Sequence, residues 1–287
     1  MIAILKKEIR NYFTTLTGYI FITLFILVSG IFFVLSNIIQ GSNDYNSVLY
    51  NIIFIFIIAV PILTMGILSE ERKNKTEQLL LTYSINVSDI VFGKFLAAII
   101  VYFITLIITL VYPIVLNIYS SILIGEIFSG YIGVFLLGIS LISIGIFISS
   151  LTENQMIAAG ATIGILLIIW ISDWIIKNIP NSAKAGLIFS IILLGVICLL
   201  LYYILKNSYL VLLIASLNAI LITILSLVKF DIFIGFIAKF FRYFSLFERF
   251  NLFNMGIISL DSIVYYLSFT FIMLLLTVRI MERRICR

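Results

Sequence analysis

Long apolar runs alternate with short polar interruptions along this chain, and the run lengths carry the first reading. A helix crossing a hydrocarbon core of about 30 Å needs about 20 residues. Runs of roughly that length occupy residues 17–39, 52–69, 91–117, 131–149, 156–176, 185–205, 209–228 and 262–280. Eight crossings predict an all-α polytopic membrane protein with both termini on one side. Two further stretches are amphipathic at helical spacing. In 1–13, Ile2, Leu5, Ile9 and Tyr12 share one face and Lys6, Lys7, Arg10 and Asn11 the other. In 230–250, Asp231, Ala238, Arg242, Ser245 and Arg249 oppose Phe233, Ile237, Phe240, Phe244 and Phe247. Both read as helices lying in the membrane interface, the first with its basic face toward headgroups.

The densest polar interruption is Glu70-Glu71-Arg72-Lys73-Asn74-Lys75-Thr76-Glu77-Gln78, followed by Leu79-Leu80-Leu81-Thr82-Tyr83. Asn74 with Glu77, and Asn86 with Asp89, have the spacing of helix-capping boxes. They predict a short helix from about Lys75 into the leucines, a turn, and a membrane helix from about Asp89. The leucines fit either a partner's groove, with Glu71, Arg72, Lys75 and Glu77 at its rim, or the membrane surface. Glu70 and Glu71 read as a solvated pair neutralised by Arg72 and Lys73 rather than as an acid and a base. Thr152 with Gln155 forms a third box, opening the fifth span. Pro61 reads as a bend in the second span, and Trp170, Trp174, Tyr265 and Tyr266 as an interface belt.

Composition narrows the function classes. Of 287 residues, 63% are hydrophobic and 11% charged, so no soluble domain is expected. Of the 18 Lys and Arg, the eight-span reading puts the larger share on the inner side and the rest, with a cluster around Arg242, on the outer; the bias favours cytoplasmic termini and explains the net charge of +5 without nucleic acid. The chain has no His, which removes the commonest general base and transition-metal ligand. Cys198 and Cys286 read as neither a disulfide nor a metal pair. No phosphate-binding Gly-rich loop with its Lys is present, so ATP is not held by that device. Asp173 and Lys94 lie near span ends, where they can reach the interface, and the apolar cores are otherwise almost free of charge. That argues against an ion-coupled transporter. A non-transporting accessory subunit and a secondary transporter stay open on these grounds.

Thr76 to Tyr83, then Asp89-Ile90-Val91-Phe92-Gly93-Lys94-Phe95, resemble the signature of type-2 ABC transporter permeases. The closest subgroup is the gliding-motility and nitrous-oxide-reductase-accessory type. Residues 6–13, 150–155, 247–250 and 265–268 fit it, as do Gly256, Asp261, Arg283 and Arg284. The resemblance implies a six-span exporter core in a single transmembrane domain of residues 1–287. Residues 1–13 would be an elbow helix, 70–89 a cytoplasmic coupling region, and 230–260 outer interfacial helices. The hairpin 185–229 is extra to that core, and Lys75 or its neighbour stands where the family often has Gly. The implied partners are two copies of an ABC ATPase carrying ATP and Mg, a second permease chain, and membrane lipid; this chain itself binds no cofactor. Glu70, Glu71, Arg72, Lys75, Thr76, Glu77, Leu79, Leu80, Thr82 and Tyr83 would couple to the ATPase. Thr152, Glu153, Asn154 and Gln155 form a second inner turn. Asn51, Thr64, Thr162 and Trp170, on spans two and five, are the expected substrate-path residues.

Overall fold

The computed structural model describes residues 1–74, 86–120, 122–178, 182–205 and 234–285. All regular elements among the described residues are helical. Six stretches are long and apolar enough to cross a membrane: Leu16–Ile39, Asn46–Lys73, Val87–Tyr119, Ile124–Leu151, Gln155–Asp173 and Leu260–Arg284. They coincide with six of the eight expected runs. A seventh run falls in the helix Ala183–Leu205, and the eighth, 209–228, lies outside the described residues.

The helices are numbered in chain order. They are α1 (Ile2–Thr14), α2 (Leu16–Phe33), α3 (Asn46–Ile52), α4 (Phe56–Thr64), α5 (Ser69–Lys73), α6 (Val87–Thr109) and α7 (Val111–Tyr119). After them come α8 (Ile124–Leu151), α9 (Gln155–Asn178), α10 (Ala183–Leu205), α11 (Phe236–Phe244), α12 (Leu246–Asn254) and α13 (Leu260–Ile285). The first span ends in a π-helical turn, Val34–Ile39, and prolines mark two other irregularities. Pro61 lies inside α4, a helix that directly follows the tighter turn Ile53–Ile55. Pro113 cannot donate to the carbonyl of Thr109, and the third span breaks there into α6 and α7.

The sequence reads as one domain, but contacts divide the chain into two compact units: Met1–Ile168 with Leu246–Arg287, and Ile169–Ser245. In the first unit, α8 is the central element and packs against α13, α12, α4 and α6. Small residues allow this, because only a missing side chain lets helix backbones approach closely. A Cβ on Gly133 would lie 2.5 Å from Phe253, and one on Gly138 would lie 2.5 Å from the Tyr102 ring. Tyr102 donates to the carbonyl of Val134 at 2.7 Å and gathers Phe21, Phe25 and Phe56 at ring separations of 5.7–6.5 Å.

The stretch expected as one interfacial helix, 230–250, is different. Residues 230–233 lie outside the described ones, and Ser245 is extended, separating α11 from α12. Leu246, Phe247, Phe250 and Phe253 are buried in the first unit, with Phe250 and Phe253 filling the space over Gly133. Removing such large apolar rings from water or headgroups outweighs an interfacial position for α12. Tyr266 is also buried and donates to the carbonyl of Leu246 at 2.6 Å, while Tyr265 lies beneath Arg249, 4.0 Å from guanidinium carbon to ring centre. Tyr266 therefore serves packing rather than an interface belt, while Tyr265 is half-exposed. In the second unit, Phe189 meets Phe236, Phe240 and Phe241, and Ser245 donates to Asp173 at 2.6 Å.

Candidate functional site

At the end of the first unit where both chain termini gather, α1 meets α6 and the exit of the second span. The buried positions of α1 are Ile4, Glu8 and Tyr12, one residue per turn. The face that packs inside the chain is thus not the one expected to be apolar: of Ile2, Leu5, Ile9 and Tyr12 only Tyr12 is buried, and Ile2 is 75% exposed. The reason is local. Gly93 on α6 has no side chain, so Ile4 and the carbonyl of Met1 come within 3.2–3.3 Å of where its Cβ would stand. That close approach fixes which face of α1 turns inward. Tyr12 donates to the carbonyl of Leu63 at 3.0 Å. Burial, aided by the nearby Glu8 charge, pushes its phenol pKa far above the usual value, so it stays a neutral donor.

Turning that face inward buries Glu8, and α6 supplies its counter-charge. Lys94 is 1% exposed. Its ammonium donates to Glu8 at 3.1 Å and to the carbonyl of Ile67 at 2.7 Å, and it lies 2.9 Å from Glu71. Lys7 stands 3.3 Å from Glu71 and 3.9 Å from Glu8, so two lysines and two glutamates alternate around a closed ring. The sequence places Lys94 at a span end reaching for the interface. Instead its three donors are satisfied inside, which is the condition for keeping an ammonium out of water. The Lys7 contacts are exposed and contribute little; the energetic weight rests on Lys94. A signal for this was present: Glu8 is the lone acid of α1, and Lys94 the lone base of the run 91–117.

The same end holds the roots of the polar island. Residues 69–73 form α5 rather than a solvated loop, and Asn74 closes that helix, its amide bonding the carbonyl of Glu70. Ser149 on α8 accepts from the amides of Leu68 and Ser69, both at 3.2 Å, and donates to Met65 at 3.1 Å. Glu71 and Arg72 turn to partners within the chain. Arg72 pairs with Glu153 at 2.7 Å and donates to the carbonyl of Leu151 at 3.2 Å. Arg284, from the end of α13, donates to the carbonyls of Ser150 and Leu151. Two guanidinium groups thus cover the C-terminus of α8, where the helix leaves carbonyls and partial negative charge.

The second turn is capped differently from the expected Thr152–Gln155 box. Asn154 is the cap, its side chain accepting from the amide of Met156 at 2.9 Å, and Thr152 supports the amide of Asn154 at 3.2 Å. Helix α9 starts at Gln155, so Thr152 stands too early to cap it. Asn86 does precede α6 as expected, without a side-chain cap bond. Lys75, Thr76, Glu77, Leu79, Leu80, Thr82 and Tyr83 lie outside the described residues. Of the expected path residues, Thr64 and Thr162 are buried, each bonding a carbonyl four residues back in its own helix. Asn51 is half-buried, and Trp170, 39% exposed, belongs to the second unit.

Between α1 and α5 lies an open cleft of about 320 Å³, lined by the ring and by Arg10, Asn11, Thr14, Glu70 and Asn74. Among the described residues no group of three or more acidic, Cys or His side chains could hold a metal ion. No curated protein matches the sequence. The family described as ABC-2 family transporter protein matches residues 39–228, about two thirds of the chain and four of the six spans in full. Six helices long and apolar enough to cross a membrane, with that match covering two thirds of the chain, make this chain a multi-pass membrane protein of the ABC-2 transporter family.

Proposed function

We propose that the chain is the membrane-spanning permease of an ABC exporter, moved by ATP hydrolysis on a separate subunit that seats on the end where the termini gather. That end is then cytoplasmic, and the lysines and arginines concentrated there support the orientation. The carrying observation is how the roots of residues 75–85 are held. The segment leaves from Asn74 and returns at Asn86. One root is joined to α1 and α6 through Lys94, and to α8 through Ser149. A push on the intervening segment reaches three helices together, which suits rigid-body transmission.

In this reading the partner contacts come from residues 75–83, above all Leu79, Leu80 and Tyr83, with Glu70 and the turn at Glu153 alongside. Two ATPase copies hold ATP and Mg, and a second permease chain completes the path, with Asn51 as its polar candidate. The motif order resembling the gliding-motility and nitrous-oxide-reductase-accessory type supports export rather than uptake.

The test is Leu80→Asp with the cognate ATPase co-expressed. Loss of co-purification and of permease-stimulated ATP hydrolysis, with the permease still folded in the membrane, is expected. Unchanged coupling would overturn the reading. Glu71→Arg would be a poor substitute, since it would break the ring and disturb the fold itself.

A further inference from the structure

The ring satisfies its own charges, yet the cleft beside it also holds two charged groups that it does not use. Arg10 and Glu70 both line the cleft and both are exposed, and neither has a partner among the described residues. Over the whole lining, three cations (Lys7, Arg10, Lys94) face three anions (Glu8, Glu70, Glu71), so the net charge is zero. An anionic ligand would add a charge beside Glu70 with nothing to compensate it. A zwitterion would neutralise Arg10 and Glu70 together.

Position selects the kind of zwitterion. Thr14, at the cleft, stands two residues before Leu16, where the exposed apolar surface of the first span begins. Leu16 is 75% exposed and Ile20 46%. The cleft therefore adjoins the exposed apolar surface of a helix long and apolar enough to cross a membrane, and its volume is at the low end for small-molecule sites.

We propose that the cleft binds the headgroup of an aminophospholipid such as phosphatidylethanolamine. The phosphate lies on the guanidinium fork of Arg10, the ammonium donates to Glu70, and the acyl chains run along Leu16 and Ile20. A guanidinium suits phosphate because its parallel N–H groups match two oxygens. Asn11, Thr14 and Asn74 supply further polar atoms around the headgroup. Glu70 is shared with the coupling reading, but lipid binding needs no ATPase, so the two can fail separately.

The full-length chain, purified alone in detergent and delipidated, is titrated with phosphatidylethanolamine, phosphatidylcholine or phosphatidylglycerol and read by native mass spectrometry. One phosphatidylethanolamine per chain should persist, at least about tenfold above phosphatidylcholine, whose quaternary ammonium has no N–H to give Glu70. Arg10→Gln and Glu70→Gln, both at exposed positions that leave packing intact, should each lower retention about tenfold. Lys73→Gln, exposed and outside the cleft, should not. Equal retention of phosphatidylglycerol, or unchanged retention in both cleft variants, would overturn the proposal. So would displacement of the lipid by equimolar soluble glycerophosphoethanolamine, which would make the source a free metabolite. Loss of ATPase binding in the cleft variants with lipid retention unchanged would give the cleft to a protein partner instead.

Discussion

Helices α8 and α9 follow one another in sequence and are of similar apolarity, with mean hydropathy of 2.5 and 2.0 over their spans. Yet 83% of the positions in the most apolar stretch of the first are buried within the chain, against 17% in the second. The difference lies in what their glycines meet. Gly130, Gly133, Gly138 and Gly145 of α8 each touch a side chain from another helix, whereas Gly160 and Gly164 of α9 have nothing within 4 Å among the described residues. Apolarity shows that a helix suits hydrocarbon surroundings; it does not show whether its neighbours are its own chain or something else. The small residues of α9, spaced as in close-packed membrane helix pairs, are left open.

Substitutions can test this distinction between internal and external neighbours. The largest effect is expected at Lys94, a site whose neighbours are all internal. Lys94→Met leaves Glu8 without its buried counter-charge and takes from Glu71 one of its two lysines, and should cost about 3–5 kcal/mol, read as a lowered denaturation midpoint in detergent. Lys94→Met combined with Glu8→Gln and Glu71→Gln should recover much of it, because the stranded charges are gone. Gly138→Val comes next, driving a branched side chain into Tyr102 at a cost of about 1–3 kcal/mol. Gly145→Ala should cost a similar or smaller amount against Thr64, and Thr64→Ala in the same chain should return part of it, a coupling that a double-mutant cycle measures. Gly164→Ala should leave stability unchanged or raise it by up to about 1 kcal/mol, since it adds helix propensity and meets no neighbour. A large loss there would mean that the open face of α9 is already packed against something in the purified protein. Should the second permease chain pack on this face, Gly160→Leu with Gly164→Leu should lower self-association without altering monomer stability.

The spans were legible because hydrocarbon thickness sets a length that 18–27 residue runs satisfy, and a single chain carries that signal locally. Which face of α1 turns inward was not legible, since Gly93 decides it from 89 positions beyond Ile4. The ring was hidden for the same reason: Lys94 and Glu8 are separated by 86 residues. The sequence places Glu71 and Arg72 in a polar interruption but reads them as facing outward, because their partners, Lys94 and Glu153, are equally remote. Residues 246–253 look amphipathic in isolation, and only the gap over Gly133 explains why their phenylalanines pack inside. Periodicity predicts elements, and long-range partners then decide which face is used.

The ring of Lys7, Glu8, Lys94 and Glu71 has one further consequence. Its two positive and two negative charges sum to zero, so displacing it as a body through an electric field performs no net electrical work, whereas a single moved charge would be worth about 2.3 kcal/mol per 100 mV. A stroke delivered through this joint would be equally demanding in a polarised and a depolarised cell.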